Sequence, residues 1–264
     1  MFKTRLLSGI VLVLVALLTI ISGGTVLFAT LTIVSLIGTA ELMRAMKVHK
    51  ESYSLLEITS FLIVVAFYLI LWLDLPQNYQ LMVLIAGVIV NMFVYVFSYP
   101  KYHADQITAA FFSVVYAGIM LSYVYQTRML EGGVYHVWLI FLCSWGCDTC
   151  AYCAGMLFGK HKMAPVLSPK KSIEGAVGGV VGAILLGIIY AVATKGPVLN
   201  YGIICGVGAL ISMVGDLAAS AIKRNHQIKD YGSLIPGHGG IMDRFDSVIF
   251  TAPVIYYLAE FLFK

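Results

Sequence analysis

Apolar residues run in long, nearly unbroken blocks along this chain, separated by short clusters of Gly, Pro, Asn and charge. Nine blocks can be marked, at 6–22, 25–43, 55–73, 79–98, 107–127, 134–156, 175–194, 201–222 and 247–263. Each has about the length, roughly 20 residues, that carries a helix across a hydrocarbon core. The runs are continuous rather than alternating, so they predict helices and not barrel strands, the two architectures that satisfy every backbone group in lipid. The first two blocks form one uncharged run from Leu6 to Ala40, and Ser22-Gly23-Gly24 supplies the turn that makes it a helical hairpin. The last block carries Pro253 and Glu260 and is expected to be short, tilted or partly interfacial. The pattern predicts an all-α polytopic membrane protein with about nine transmembrane helices.

Composition sharpens this picture. Of 264 residues, 60% are hydrophobic and 11% charged, too few charges to coat a soluble globule or to keep a chain disordered. Five cysteines, an odd number, offer no disulfide framework. Lys3 and Arg5 precede Leu6 as in a signal peptide, but no small-residue cleavage site follows, so a retained first span is expected.

The net charge of +4 is a poor sign of nucleic-acid binding, and its distribution is more telling than its size. With the N-terminus in the cytoplasm, that side collects Lys3, Arg5, Arg44, Lys47, Lys50, Lys101, Lys160, Lys162, Lys170, Lys171, Lys223, Arg224, Lys229 and Arg244. Only Arg128, Lys195 and Lys264 fall opposite, so the positive-inside bias fixes this orientation. No internal repeat or soluble extension is visible, and one membrane domain over 1–264 is expected. Its cytoplasmic connections 157–174 and 223–246 are longer than a turn needs, and long polar loops tend to carry function.

Two carboxylates in predicted spans, Asp148 and Asp216, lie on the order of 10 Å below the cytoplasmic surface at 1.5 Å per residue. An acid at that depth needs a cation, a donor or water, and the alternative to function is an interhelical hydrogen bond. If a helix begins near Ile241, Asp243 and Asp246 share a face of its first turns. Together with Asp216 they would form an all-oxygen cluster suited to Mg²⁺; standing alone they would read as capping carboxylates.

Between 223 and 246 lie Gly237, Gly239 and Gly240, which let backbone approach an anion but do not make a Walker A loop. Lys223, Arg224, Lys229 and Arg244 beside them could hold a polyphosphate, though the inside-positive bias would place cations here in any case. In the other connection, Lys170 and Lys171 follow Ser168-Pro169 and face lipid head groups, for which plain anchoring is the simpler account. Cys147, Cys150 and Cys153 suggest a thiolate site, but helix packing explains small residues at that spacing better.

The stretch Ser220-x-x-Lys223-Arg224-x4-Lys229-Asp230-x-Gly232-x-x-Leu-x-Pro-Gly-His238-Gly239-Gly240-x-x-Asp243-Arg244-x-Asp246 resembles the signature of the phosphatidate cytidylyltransferases, or CDP-diglyceride synthetases, at all its fixed positions. Ser168-Pro169-x-Lys171-Ser172-x-Glu174-Gly175 and Asp148-Thr149-x-Ala151-Tyr152 resemble the same family. The resemblance implies an enzyme of the bacterial plasma membrane that joins CTP and phosphatidic acid into CDP-diacylglycerol and pyrophosphate with Mg²⁺ or Mn²⁺, with room for a second cation and for a homodimer.

It implies roles by position. Asp216, Asp243 and Asp246 would hold the metal, and Lys171 with Ser168 would meet the lipid phosphate. Ser220, Lys223, Arg224, Lys229, Asp230, Gly237, His238, Gly239, Gly240 and Arg244 would bind substrate, with Asp148 and Glu174 supporting from behind. The alternatives are a CTP-dependent polyprenol or phytol kinase, an ether-lipid CDP synthase, or an ion-coupled transporter. The missing Asp-Gly-x2-Ala-Arg motif argues against a CDP-alcohol phosphotransferase.

Overall fold

A computed structural model of the chain describes residues 2–49 and 53–263, with side chains from residue 8 onward in those ranges. Lys50 and Lys264, and the side chains of Lys3 and Arg5, which the charge count used, lie outside the described residues.

Among the described residues nine helices follow the nine apolar blocks: α1 (Phe2–Ser22), α2 (Gly24–Ala45), α3 (Leu55–Trp72), α4 (Gln77–Phe97), α5 (Ala104–Met129), α6 (Gly133–Phe158), α7 (Ile173–Thr194), α8 (Val198–Asn225) and α9 (Met242–Leu262). Among the described residues α2 to α9 are long and apolar enough to cross a membrane, and α1 adds a shorter apolar stretch, Ser8–Ser22. Two helices are wider for a turn or more, with π-helical stretches Val114–Ile119 in α5 and Leu142–Gly146 in α6. The α9 helix is not short. It runs for 21 residues with Pro253 inside it, because Ile249, Ala252, Ile255 and Ala259 bury along its length and outweigh the bond that proline forgoes. The connection 157–174, expected as a loop, folds in part into an antiparallel hairpin of β1 (Lys162–Ala164) and β2 (Ser168–Ser172), pairing Lys162 with Ser172 and Ala164 with Ser168.

The chain forms two compact units, each built from two segments. The first comprises Met1–Tyr125 and Ile228–Arg244. Its α1–α2 turn uses Gly23 and Gly24 at φ 61° and 45°, a region that favours glycine. The α3 helix starts on a capping box: Ser54 N–H donates to Glu57 at 2.8 Å, and Ser54 Oγ accepts from Glu57 N–H. Buried polar pairs tie the helices where lipid offers no partner: Ser35 with Tyr68 at 2.7 Å, and Thr59 donating to Asn91 at 2.9 Å.

The second unit comprises Gln126–Gln227 and Phe245–Lys264. Here α6 and α7 approach closely through small residues. The α7 face that buries is Gly175, Gly179, Ala183, Gly187 and Ala191, while Val177, Val181, Leu185, Ile189 and Val192 point outward. That inside-out arrangement, small within and large aliphatic without, suits a helix whose outer solvent is hydrocarbon. The cysteines serve this packing: Cys147 meets Gly179, Cys150 meets Gly182 and Cys143 meets Gly208.

Candidate active site

In the second unit α8 sets Asp216, Ser220 and Lys223 at i, i+4 and i+7, on one face of the helix. Asp216 forms an ion pair with Lys171 of β2, each side chain a quarter exposed, and accepts a 3.5 Å hydrogen bond from Ser220 Oγ. The pair lies in a cavity of about 390 Å³ that Asp148, Ser168, Tyr152 and Met213 also line. Its lining combines these charged and hydroxyl side chains with methionine, tyrosine and alanine, so a charged group joined to an apolar body fits its chemistry.

The hairpin delivers Ser168 and Lys171 to the cavity, and Glu174 holds the hairpin's base. The Glu174 carboxylate accepts from Lys160 N–H at 3.0 Å, from His161 N–H at 3.2 Å, and pairs with His161 Nδ1 at 2.6 Å. Next to it Ser172 caps α7, accepting from Gly175 N–H at 3.1 Å. Glu174 therefore supports the hairpin rather than lining the cavity.

Asp246, near the start of α9, experiences the charges of Asp216, Asp148 and Lys223, and its Oδ1 accepts from Ser247 N–H at 2.8 Å. Three acids and two lysines thus act on one another within this unit. Among its described residues no three His, Cys, Asp or Glu side chains converge into a ready-made metal site. The donors are nonetheless all carboxylate oxygens, the chemistry a hard divalent ion prefers, and the Lys171 ammonium is the counter-charge now beside Asp216. Arg224, at the end of α8, is exposed.

The first unit contains the glycine-rich segment with Lys229, Asp230, Gly237, His238, Gly239, Gly240, Asp243 and Arg244. Its turn is closed by Ile235 N–H donating to Gly239 O at 2.8 Å and His238 N–H to Ile235 O at 2.9 Å, with Gly239 at φ 87°. His238 Nδ1 is 2.9 Å from Ser8 Oγ, which also donates to Pro236 O, so α1 steadies the turn. Lys229, Asp230 and Arg244 are exposed. Asp243 is buried, and its Oδ2 accepts from Tyr231 N–H at 2.8 Å and Gly240 N–H at 3.0 Å. One oxygen of this expected metal ligand is thus engaged in shaping the loop.

Sequence reasoning missed Glu41. This carboxylate sits at the end of α2, is 4% exposed, and accepts from the N–H groups of Ile241 at 3.1 Å and Met242 at 2.9 Å. The signal available was an acid inside the second apolar block, like Asp148 and Asp216 in theirs.

A many-helix membrane protein with a cavity lined by lysine, serine, carboxylates and apolar side chains has the chemistry to accept an anionic, partly apolar group. The chain matches the cytidylyltransferase family over residues 3–262 and belongs to it. It is an enzyme of CTP-dependent nucleotidyl transfer. Among its relatives is a protein of Staphylococcus haemolyticus named phosphatidate cytidylyltransferase, 34% identical over 97% of this chain and 98% of the relative. Proteins of the same name from Staphylococcus aureus and Staphylococcus epidermidis are 33% and 34% identical, again over 97% of this chain and 98% of theirs.

Proposed function

We propose that this enzyme transfers the cytidylyl group of CTP to phosphatidic acid, giving CDP-diacylglycerol and pyrophosphate with Mg²⁺, at the cytoplasmic face of a bacterial plasma membrane. The observation that carries the reading is the Lys171–Asp216 pair inside a cavity lined by both charged and apolar side chains. The relatives named for phosphatidate support the substrate, and the fourteen-to-three split of Lys and Arg supports the sidedness.

In the reaction an oxygen of the lipid phosphate bonds to the α-phosphorus of CTP, while the bond from that phosphorus to the α,β-bridging oxygen breaks and pyrophosphate leaves with the electron pair. A phosphate monoester has its second pKa at about 6, so the nucleophile is largely a dianion and needs no strong base. What opposes the step is repulsion between anions, and the protein's task is neutralisation and alignment. Lys171, with Ser168, orients the lipid phosphate. Lys223, Arg224, Lys229 and Arg244, with Ser220 and His238, hold the triphosphate and the departing pyrophosphate. The turn at Gly237, Gly239 and Gly240, with Asp230, shapes that side of the site. Asp216, Asp243 and Asp246 would hold Mg²⁺, with Asp148 supporting them, and the ion would neutralise phosphate charge.

The test is cytidylyl transfer by membranes carrying Asp216→Asn or Asp246→Asn at wild-type abundance. Each is expected to lose about 10²-fold or more in turnover, the scale of removing one transition-state stabiliser. Near-normal turnover by either well-folded variant would remove that residue from the site.

A further inference from the structure

The glycine-rich segment contains a hollow that is already filled. Cβ atoms added to Gly232 or Gly240 would come within 3.0 Å of the Glu41 carboxylate, a separation real Cβ atoms essentially never show. Neither glycine has a positive φ, so backbone conformation does not demand glycine at either position. Space does, and the atoms that occupy the space belong to Glu41.

The same carboxylate spans two backbone donors at the start of α9, Oε1 accepting from Ile241 N–H and Oε2 from Met242 N–H. Those N–H groups are among the first of a helix and have no partner within it, and they sit at its positive end. An acid reaching in from α2 satisfies both at once, while Asp243 takes the N–H groups of Tyr231 and Gly240. Four backbone donors of the kind that cradle a phosphate are thus engaged by the protein's own carboxylates. Arg44, one turn beyond Glu41, and Asp243 are the charged groups that act on it.

We propose that Glu41 is a positioning residue: its carboxylate, and not the triphosphate, fills the hollow formed by Gly232 and Gly240, and thereby sets the path of the loop that carries Lys229, His238 and Arg244. This rests on the reading above in assigning those cations to the triphosphate. The backbone of the loop is then a scaffold, and its exposed cations are what the nucleotide meets.

The experiment is a double-mutant cycle on the purified full-length enzyme. Gly240→Ala alone is expected to raise the KM for CTP about 10-fold or more, the scale of losing a buried hydrogen-bonded partner. The KM for phosphatidic acid and kcat should change far less. In a Glu41→Ala background the added methyl has room, so Gly240→Ala should cause no further loss. An equal loss in both backgrounds would show that the hollow faces substrate and would overturn the proposal. Should Glu41→Ala not accumulate, Glu41→Gln is read instead. Its NH2 group must face one of two N–H donors, so the same rise in KM for CTP is expected, and an unchanged value overturns the proposal. Trypsin cleavage at Lys229 and Arg244 without substrate supplies a readout independent of activity, and both single variants should be cut faster. Wild-type protein that cleaves as expected but turns over no CTP would sink the functional reading and leave the clamp standing.

Discussion

Lys171 and Asp216 compensate each other's charge in one ion pair. A carboxylate in a mostly apolar cavity needs compensation, and the ammonium supplies it from a strand 45 positions away in the chain. In the proposed reaction the lysine would gain a second partner, the phosphate of the lipid, beside the carboxylate it already pairs with. Lys171→Ala is expected to raise the KM for phosphatidic acid and lower kcat by about 10²-fold, while the KM for CTP changes little. Kinetics with each substrate varied in turn checks this, and a loss confined to CTP would contradict the role. Both residues were legible in the sequence, Asp216 as an acid inside an apolar block and Lys171 in the long connection before another, but their pairing was not, since neither lies within a helical turn of the other. Glu41 was harder still. It stands near Arg44 at the end of an apolar block and looks like the edge of a span, and its partners are 200 and 201 residues away.

At the scale of elements, the second unit depends on close approach of α6 and α7. Gly179 faces Cys147 and Ala151, and a Cβ there would stand 3.1 Å from the backbone carbonyl of Cys147, which cannot swing aside. Gly179→Leu is expected to destabilise the protein by about 1–3 kcal/mol. A lower thermal midpoint in detergent would show it, and an unchanged midpoint would contradict this account of the helix pair. Continuous apolar blocks made the helices legible to within a few residues at their ends. Two local features were not. The π-helical stretches leave no mark in composition, and the β1–β2 hairpin has neither alternation nor β-branched residues to announce it, only Pro169 to say that a helix stops. The hairpin is held at its base by Glu174 and His161 as well as by its own strand pairing, and such support is not written in a local pattern.

For the whole molecule, hydropathy carried the class of protein without ambiguity, because large aliphatic residues turned outward, as on α7, are stable only in hydrocarbon. The division into units was not legible. The segment Ile228–Arg244 follows α8 directly, yet it belongs with the N-terminal helices, bound there by Glu41 and Ser8. Under the proposed reaction a lipid confined to the bilayer and a nucleotide confined to water meet at this enzyme, and the distribution of Lys and Arg supports the cytoplasmic side as the nucleotide's.

The measurement that bears most directly on this account is pyrophosphate release by sealed inverted membrane vesicles containing the enzyme, with each nucleoside triphosphate supplied outside, with and without phosphatidic acid and Mg²⁺. Release is expected with CTP only when both phosphatidic acid and Mg²⁺ are present, with CDP-diacylglycerol formed in equal amount, and to stop when the ion is chelated. Release that ignores phosphatidic acid, persists without divalent ion, or occurs only when CTP is inside the vesicles would contradict it.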